Sequence, residues 1–223
     1  MWPAPKPSKA TRLMSVTEEL VRYIEQTTVD DDFHVRARND AREFGLSAPD
    51  ISSGQLLSLL AALVATNSNR SGVAATPAAG IVGLYLFDGL GPDGHLTFID
   101  PEHEHQNQAK DVFRAAGHSH YRFLPSRPLE VMGRLAPDSY RIVVGDVPAL
   151  DLPTFIDEAW PLLQSGGVLV LLDALFDGLL GDETRTDREF VSAREADEKL
   201  RSFEDALITR LPLGAGAIIA FKK

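Results

Sequence analysis

Apolar and polar positions along this chain follow two periods. From Val73 onward, apolar runs of strand length are separated by longer stretches of helix length. Residues 73–75 read as a short buried strand, 76–79 as a small-residue loop and 80–90 as a helix. Gly91-Pro92-Asp93-Gly94 marks a turn, and residues 95–99 form a second strand ending in an acid, Asp100. Pro101-Glu102 opens the next helix, which runs to Ala116 and stops at Gly117. A third strand follows at 121–124, a short helix at 127–135, and a fourth strand at 139–145 that ends at Asp146. Asp151-Leu152-Pro153 starts a helix carrying Phe155, Ala159, Trp160, Leu162 and Leu163, with Trp160 read as core. After a Gly166-Gly167 turn, residues 168–172 form the most apolar run of the chain and predict a central parallel strand, closed by Asp173. A Gly- and Asp-rich loop over 176–186 leads into a charged helix reaching about Leu207. Two last strands, 208–213 and 217–221, close as a hairpin across Gly214-Ala215-Gly216.

The segment before Val73 carries no strand pattern. Residues 1–14 are proline-rich and basic and read as an extended or flexible arm. Ser15 or Thr17 can cap a helix with Leu20, Tyr23 and Ile24 on one face. Asp30-Asp31-Asp32 suits a second helix start and Gly45 its stop; this helix is mostly polar and is expected at the surface or against a partner subunit. Residues 49–53 open a third helix over 55–65, apolar nearly all round and expected to be buried. Helices first, then five strand/helix units, then a hairpin predict an α/β chain. Residues 15–223 form one doubly wound, mostly parallel sheet domain, with helices over 15–66 as a cap.

Composition narrows the function. At 223 residues, one domain with a substantial core is the default. A net charge of −10 with no basic run argues against nucleic-acid backbones and anionic membrane surfaces. The absence of cysteine excludes disulfides, thiolate catalysis and Cys-based metal sites. No apolar run reaches membrane-span length, and proline near the start occupies the place of a secretion signal's helical segment, so a cytoplasmic protein is expected.

Three acids, Asp100, Asp146 and Asp173, follow the second, fourth and fifth strands. In an open parallel sheet those carboxyl ends share one edge, where ligands bind. The first strand-loop-helix-strand unit suits a nucleotide. Helix N–H groups face the loop, and an acid about 20 residues on can accept both ribose hydroxyls. The loop is glycine-poor: only Gly80 and Gly83 lie near it, and Thr76-Pro77-Ala78-Ala79 is also compatible with an ordinary Ala-rich turn. No Gly-x-Gly-x-x-Gly occurs, which weakens an NAD-dependent oxidoreductase. His103 and His105, two apart on a helix, diverge by about 200° and read as solvated. His118 and His120 receive no role.

Several phrases carry a resemblance: Leu96-Thr97-Phe98-Ile99-Asp100 followed by Glu102 and His103, the run over 109–117, Ser139-Tyr140 to Asp146, the run over 162–170, and the ending 211–216. From about Asp32 to Lys223 the chain resembles the class I S-adenosylmethionine-dependent O-methyltransferases of the catechol and caffeoyl-coenzyme A type, in an actinobacterial subgroup. The resemblance implies a seven-stranded, Rossmann-like sheet with an antiparallel strand in the closing hairpin. It also implies a homodimer formed through the N-terminal helices and methyl transfer to an oxygen of a small hydroxylated acceptor. By position, Asp100 would hold the cofactor ribose. Ala74, Thr76, Pro77, Gly80, Val82 and Pro101 would surround its methionine and ribose portions, and Ser126, Arg127 and Pro128 its adenine. Asp146 would act in catalysis beneath the methyl group or, with Asp173, hold a divalent metal such as Mg²⁺.

The departures from that family are specific. Ala74 stands where the family has an acid, and Thr76 and Ala78 replace two glycines. Asp146-Val147-Pro148-Ala149 replaces Asp-Ala-Asp-Lys, which removes an acid and a candidate base. Leu172-Asp173 replaces an Asp-Asn metal pair. A catalytically degenerate relative, serving as a binding or dimer-partner protein, is therefore the alternative reading.

Overall fold

The computed structural model describes residues 19–223, and the expectations for the arm over 1–14 and for the caps Ser15 and Thr17 lie outside the described residues. Residues 19–27 are helical. There follow α1 (Asp32–Glu43), α2 (Ile51–Val64), β1 (Ser71–Ala75), α3 (Ala79–Leu90), β2 (His95–Ile99), α4 (His103–Ala115), β3 (Tyr121–Leu124) and α5 (Pro128–Val131). The chain continues through β4 (Tyr140–Gly145), α6 (Leu152–Ala159), β5 (Leu163–Leu171), α7 (Arg188–Arg201), β6 (Ala206–Leu211) and β7 (Ala217–Lys222).

The strands form one sheet in the order β3-β2-β1-β4-β5-β7-β6. β1 pairs in parallel with both β2 and β4, and β7 runs antiparallel between β5 and β6. The strand order reverses between β1 and β4, and that is where an open α/β sheet forms its crevice.

Strand parity divides the core into two layers. Ala74, Phe98, Ile142, Val144, Val168 and Val170 pack under α2, α3 and α4, against Leu57, Ile81, Leu84, Phe87 and Phe113. Val73, Ala75, Ile99, Val143, Leu169 and Leu171 face α6 and α7, against Phe155, Ile156, Ala193 and Leu200. Each large apolar side chain buried this way contributes on the order of 1.5–3 kcal/mol. α2 and α3 touch at glycines: a Cβ on Gly54 would lie 2.1 Å from the Tyr85 ring, and one on Gly89 would lie 2.1 Å from the Ser58 carbonyl oxygen. Gly83 is likewise a packing glycine, its absent side chain leaving room for the Phe113 ring.

Several boundaries and burials differ from expectation. α2 buries one face only, through Leu57, Ala61 and Val64, and leaves Leu59 and Leu63 exposed. Leu20 and Tyr23 of the first helix are also exposed, Tyr23 at 64%. Trp160 is half-buried at the edge of the core, tilted against Phe203, with its indole N–H donating to Asp205 Oδ2 at 3.2 Å. β5 starts at Leu163, because Gly166 adopts φ +78° within the strand and so does not end it. α7 ends at Arg201, earlier than its charged pattern suggested, and β6 begins at Ala206.

α1 starts at the expected Asp cap, and polar contacts from His34 and Arg38 that its sequence did not announce dock it. The Asp31 carboxylate caps it, accepting the His34 N–H at 2.9 Å. His34 is 5% exposed; its Nδ1 sits 2.8 Å from Asp31 Oδ1. Its Nε2 lies 3.2 Å from Asp88 Oδ2 on α3, within ion-pair reach but off the direction of a hydrogen bond. Beside it, Arg38 donates to the Tyr85 hydroxyl at 2.9 Å and to Asp30 Oδ2 at 3.1 Å, and that hydroxyl donates to Asp30 Oδ1 at 2.6 Å. Burial disfavours a charge on His34, but Asp88 and Asp31 outweigh it and raise its pKa.

A raised folded-state pKa means that this contribution is complete below the unfolded value of about 6.5 and is lost as pH rises through the folded value. Urea unfolding of the wild type should therefore show stability falling as pH rises above neutrality. His34→Gln should flatten that slope and, in acid, cost about 1 kcal/mol, because both partner carboxylates are half exposed and screened by solvent.

Candidate active site

Thr76 organises the carboxyl edge. It leaves β1 directly after Ala75, and its hydroxyl accepts the Ala78 N–H at 3.1 Å, fixing the turn into α3. The same hydroxyl donates to Asp146 Oδ2 at 3.0 Å. The Asp146 N–H donates to the Ala75 carbonyl at 2.9 Å, so the ends of β1 and β4 are joined through both backbone and side chain. Pro77 removes one loop donor but lines the opening without closing it.

A cleft of about 660 Å³ lies over these strand ends. After β1 it is lined by Thr76 and Pro77; after β2 by Asp100, Pro101 and Glu102; after β3 by residues 127–130; and after β4 by Asp146, Val147, Pro148 and Asp151. Asp100 is 4% exposed and held on three sides. Its Oδ1 accepts the Glu102 N–H at 3.3 Å, its Oδ2 lies 2.9 Å from His105 Nδ1, and its carbonyl accepts from Gln106 at 2.8 Å. Burial raises its pKa, opposed by the Glu102 N–H and by His105.

Asp146 is also shared with a second, smaller cavity of about 230 Å³. That cavity is lined by residues 47–50 and Ser53 at the start of α2, by Leu172 and Asp173 after β5, and by residues 213–215 before β7. Burial, with the nearby Asp173 charge, pushes the Asp146 carboxyl up to about 6 against the opposing pull of the Thr76 hydroxyl. A carboxylate poised in this range, at the meeting of two cavities, suits proton transfer near neutral pH.

The cleft therefore brings together Thr76, Pro77, Asp100, Pro101, Arg127, Pro128 and Asp146. Four further cofactor candidates lie elsewhere. Ala74 is fully buried and faces the helix layer, because strand parity turns it away from the side that Ala75 faces. Val82 is buried one turn into α3. Gly80 borders a small separate hollow beside Ala37 and Ala109. Ser126 spends its hydroxyl on Glu130 Oε2 at 2.7 Å.

His105 reverses its expected solvated role: it is turned in to Asp100, and its ring meets Phe44 edge-on at 5.3 Å between centroids. Spacing from His103 carried no information about this contact. The signal lay in Asp100-Pro101-Glu102, which starts α4 and lets its first turn fold back onto the acid.

The donor set does not fit Mg²⁺. Mg²⁺ demands near-octahedral oxygen coordination. Asp173 commits Oδ1 to the Ala215 N–H at 2.7 Å, and one Asp146 oxygen is held by Thr76. Among the described residues no three His, Asp or Glu side chains lie close enough together to hold a metal ion. The metal expected at Asp146 and Asp173 is therefore not carried into the mechanism.

Comparison with known proteins gives the class. The profile of the O-methyltransferase family matches residues 29–223. A Mycolicibacterium smegmatis protein named "Putative O-methyltransferase" is 36% identical over 212 residues, covering 94% of this chain and 100% of that protein. A Mycobacterium marinum protein of the same name is 36% identical over 220 residues, covering 98% and 94%. The crystal structure of a Corynebacterium glutamicum protein superposes with a TM-score of 0.90 at 55% identity, covering 93% of this chain and 97% of that one. At the level of the fold alone, the Streptomyces achromogenes O-methyltransferase TomG, solved in complex with SAM, is similar with a TM-score of 0.79 at 24% identity, covering 97% of this chain and 100% of that one. The chain belongs to the O-methyltransferase family.

Burial sets the protonation of Asp146 in the free protein, and Thr76 and Asp173 adjust it in opposite directions. Thr76→Val removes the stabilising donor and should raise the Asp146 pKa above its value of about 6, whereas Asp173→Asn removes the opposing charge and should lower it. Carboxyl carbon NMR titration of the two variants reads both directions.

Proposed function

We propose that the protein methylates an oxygen of a small hydroxylated acceptor, using S-adenosylmethionine. One observation carries the reading: Asp146 forms a wall of both the large cleft and the small cavity, as a proton acceptor between donor and acceptor sites must. The cleft chemistry supports this cofactor. Its volume of about 660 Å³ suits a nucleoside with an amino-acid arm. Its lining contains Asp100, Glu102, Glu130, Asp146 and Asp151 against Arg127 and His105, an acidic balance that suits a cationic ligand. Asp100 has two contacts on its carboxylate, and about four lone-pair sites leave capacity for ribose hydroxyls.

When bound, S-adenosylmethionine supplies an electrophilic methyl group on a sulfonium. Asp146 takes the acceptor hydroxyl proton. The oxygen lone pair forms the new O–C bond while the C–S pair stays with sulfur, so charge and atoms balance. Thr76 fixes the Asp146 carboxyl and biases it toward the ionised form that can accept this proton. No step is routed through a metal.

The partner proposal is a homodimer formed through the N-terminal helices. Exposed Leu20, Val21, Tyr23, Leu59 and Leu63 support it. Sedimentation at micromolar concentration should show a dimer, with Leu63→Asp shifting it toward monomer. No helix among the described residues is long and apolar enough to cross a membrane. A cytoplasmic location is part of the proposal and is tested by cell fractionation.

Calorimetry should detect micromolar S-adenosylmethionine binding. Asp100→Ala should weaken it by about tenfold or more; unchanged affinity would remove Asp100 from the site. Asp146→Asn should retain the cofactor yet lose on the order of 10²–10⁴ in kcat. In the wild type kcat/KM should fall as pH drops through about 6, and the variant should lose that limb.

A further inference from the structure

α1 lies behind the larger cleft and touches two of the segments that wall it. Ala37 and Ala41 border a hollow shared with Pro77 and Gly80 around the start of α3 and with His105 and Ala109 on α4. Small residues let the helix come close: a Cβ on Gly80 would lie 3.6 Å from the Ala109 backbone and 3.7 Å from the Ala37 side chain. Phe44, the residue after the last turn of α1, sets its ring edge-on against His105, and His105 Nδ1 lies 2.9 Å from Asp100 Oδ2. We infer that Phe44 and His105 are positioning residues for the cofactor: through them the docking of α1 fixes the Asp100 carboxylate, and cofactor affinity is coupled to that docking. The inference rests on the methyltransferase reading and names a control on that same site.

α1 has little apolar surface of its own to hold it there. Of its 12 residues only His34, Ala37 and Ala41 are buried. Two alanine methyls exclude little water, so the polar contacts of the first half carry much of the docking. Arg38 donates to the Tyr85 hydroxyl on α3, and that hydroxyl donates to Asp30 just before the helix. An element held by so few contacts opens more readily than the sheet beneath it. Opening at that end withdraws Phe44 from His105 at the other.

Asp100 then loses one of the two contacts on its carboxylate and keeps only the Glu102 N–H. Burial pushes its carboxyl up, and His105 is among the groups opposing that shift, so a displaced ring also favours the neutral acid. A neutral, rotating carboxyl accepts ribose hydroxyls less well than a fixed carboxylate. Asp146 is held separately, by Thr76 and the Ala75 carbonyl, so the effect falls on cofactor affinity and not on the chemical step.

Calorimetry with S-adenosylhomocysteine and hydrogen exchange of the full chain test this. His105→Leu should weaken binding by about tenfold, and His105→Asn, whose amide can donate from near the Nδ1 position, should recover most of the loss. Phe44→Ala should weaken it by about threefold or more, and by nothing further in the His105→Leu background. Tyr85→Phe keeps the ring in the core and touches no wall of the cleft. It should speed amide exchange in α1 and weaken S-adenosylhomocysteine by about threefold or more, and by linkage the ligand should slow α1 exchange in the wild type. In Phe44→Ala and Tyr85→Phe the KM for S-adenosylmethionine should rise while kcat at saturation holds. Unchanged affinity in Tyr85→Phe overturns the coupling, whether or not α1 exchange speeds up. Additive losses for Phe44→Ala and His105→Leu, or no recovery with His105→Asn, overturn the positioning roles. Failure of S-adenosylhomocysteine to bind the wild type overturns the methyltransferase reading, and the coupling with it.

Discussion

A single hydroxyl, that of Thr76, joins the parts on which the site depends. It accepts from the first turn of α3 and donates to Asp146, so the helix start and the acid after β4 are positioned by one side chain. The backbone bond from Asp146 to Ala75 adds a second tie at the same place. In this chain the loop after β1 is shaped by a side-chain hydrogen bond, and Pro77 follows it without cost to the cleft because the Ala78 N–H already has its partner.

The two acids of the edge are tuned by different neighbours. Asp100 is anchored by an N–H, by a histidine and through its own carbonyl, an arrangement that fixes orientation. Asp146 is raised chiefly by burial, with one hydroxyl pulling it down and a neighbouring like charge pushing it up, an arrangement that holds it near the middle of the useful pH range. Asp173 is turned toward the loop before β7 and shapes the smaller cavity. Three acids that look equivalent at strand ends thus have three separate duties, set by the elements packed around each.

The sheet was legible because its strands are short apolar runs punctuated by Gly, Pro and Asp, and because acids sit where strands end. Both the doubly wound order and the closing hairpin follow from those signals together with the family phrases. Other features were hidden for physical reasons. Ala74 and Ala75 are the same residue type side by side, and only pairing decides which faces the helices. An apolar helix such as α2 carries no mark of which face its own chain will cover. His34 and His105 look like surface residues on polar helices until Asp88 and Asp100 are brought to them by tertiary packing. Of the cleft, the residues after β1, β2 and β3 and Asp146 after β4 were readable from position, whereas the start of α2, which walls the smaller cavity, was not.

The shared position of Asp146 has a consequence for how such a protein can diversify. The larger cleft is walled by the loops after β1 to β4 and the first turn of α4, and the rest of the smaller cavity comes from the α2 start and from the residues flanking β5 and β7. On the proposed reading, donor recognition and acceptor choice are written in separate stretches of chain that meet at one residue. Exchanging the α2 start and the segment before β7 between relatives would retune what is modified while leaving the donor half intact.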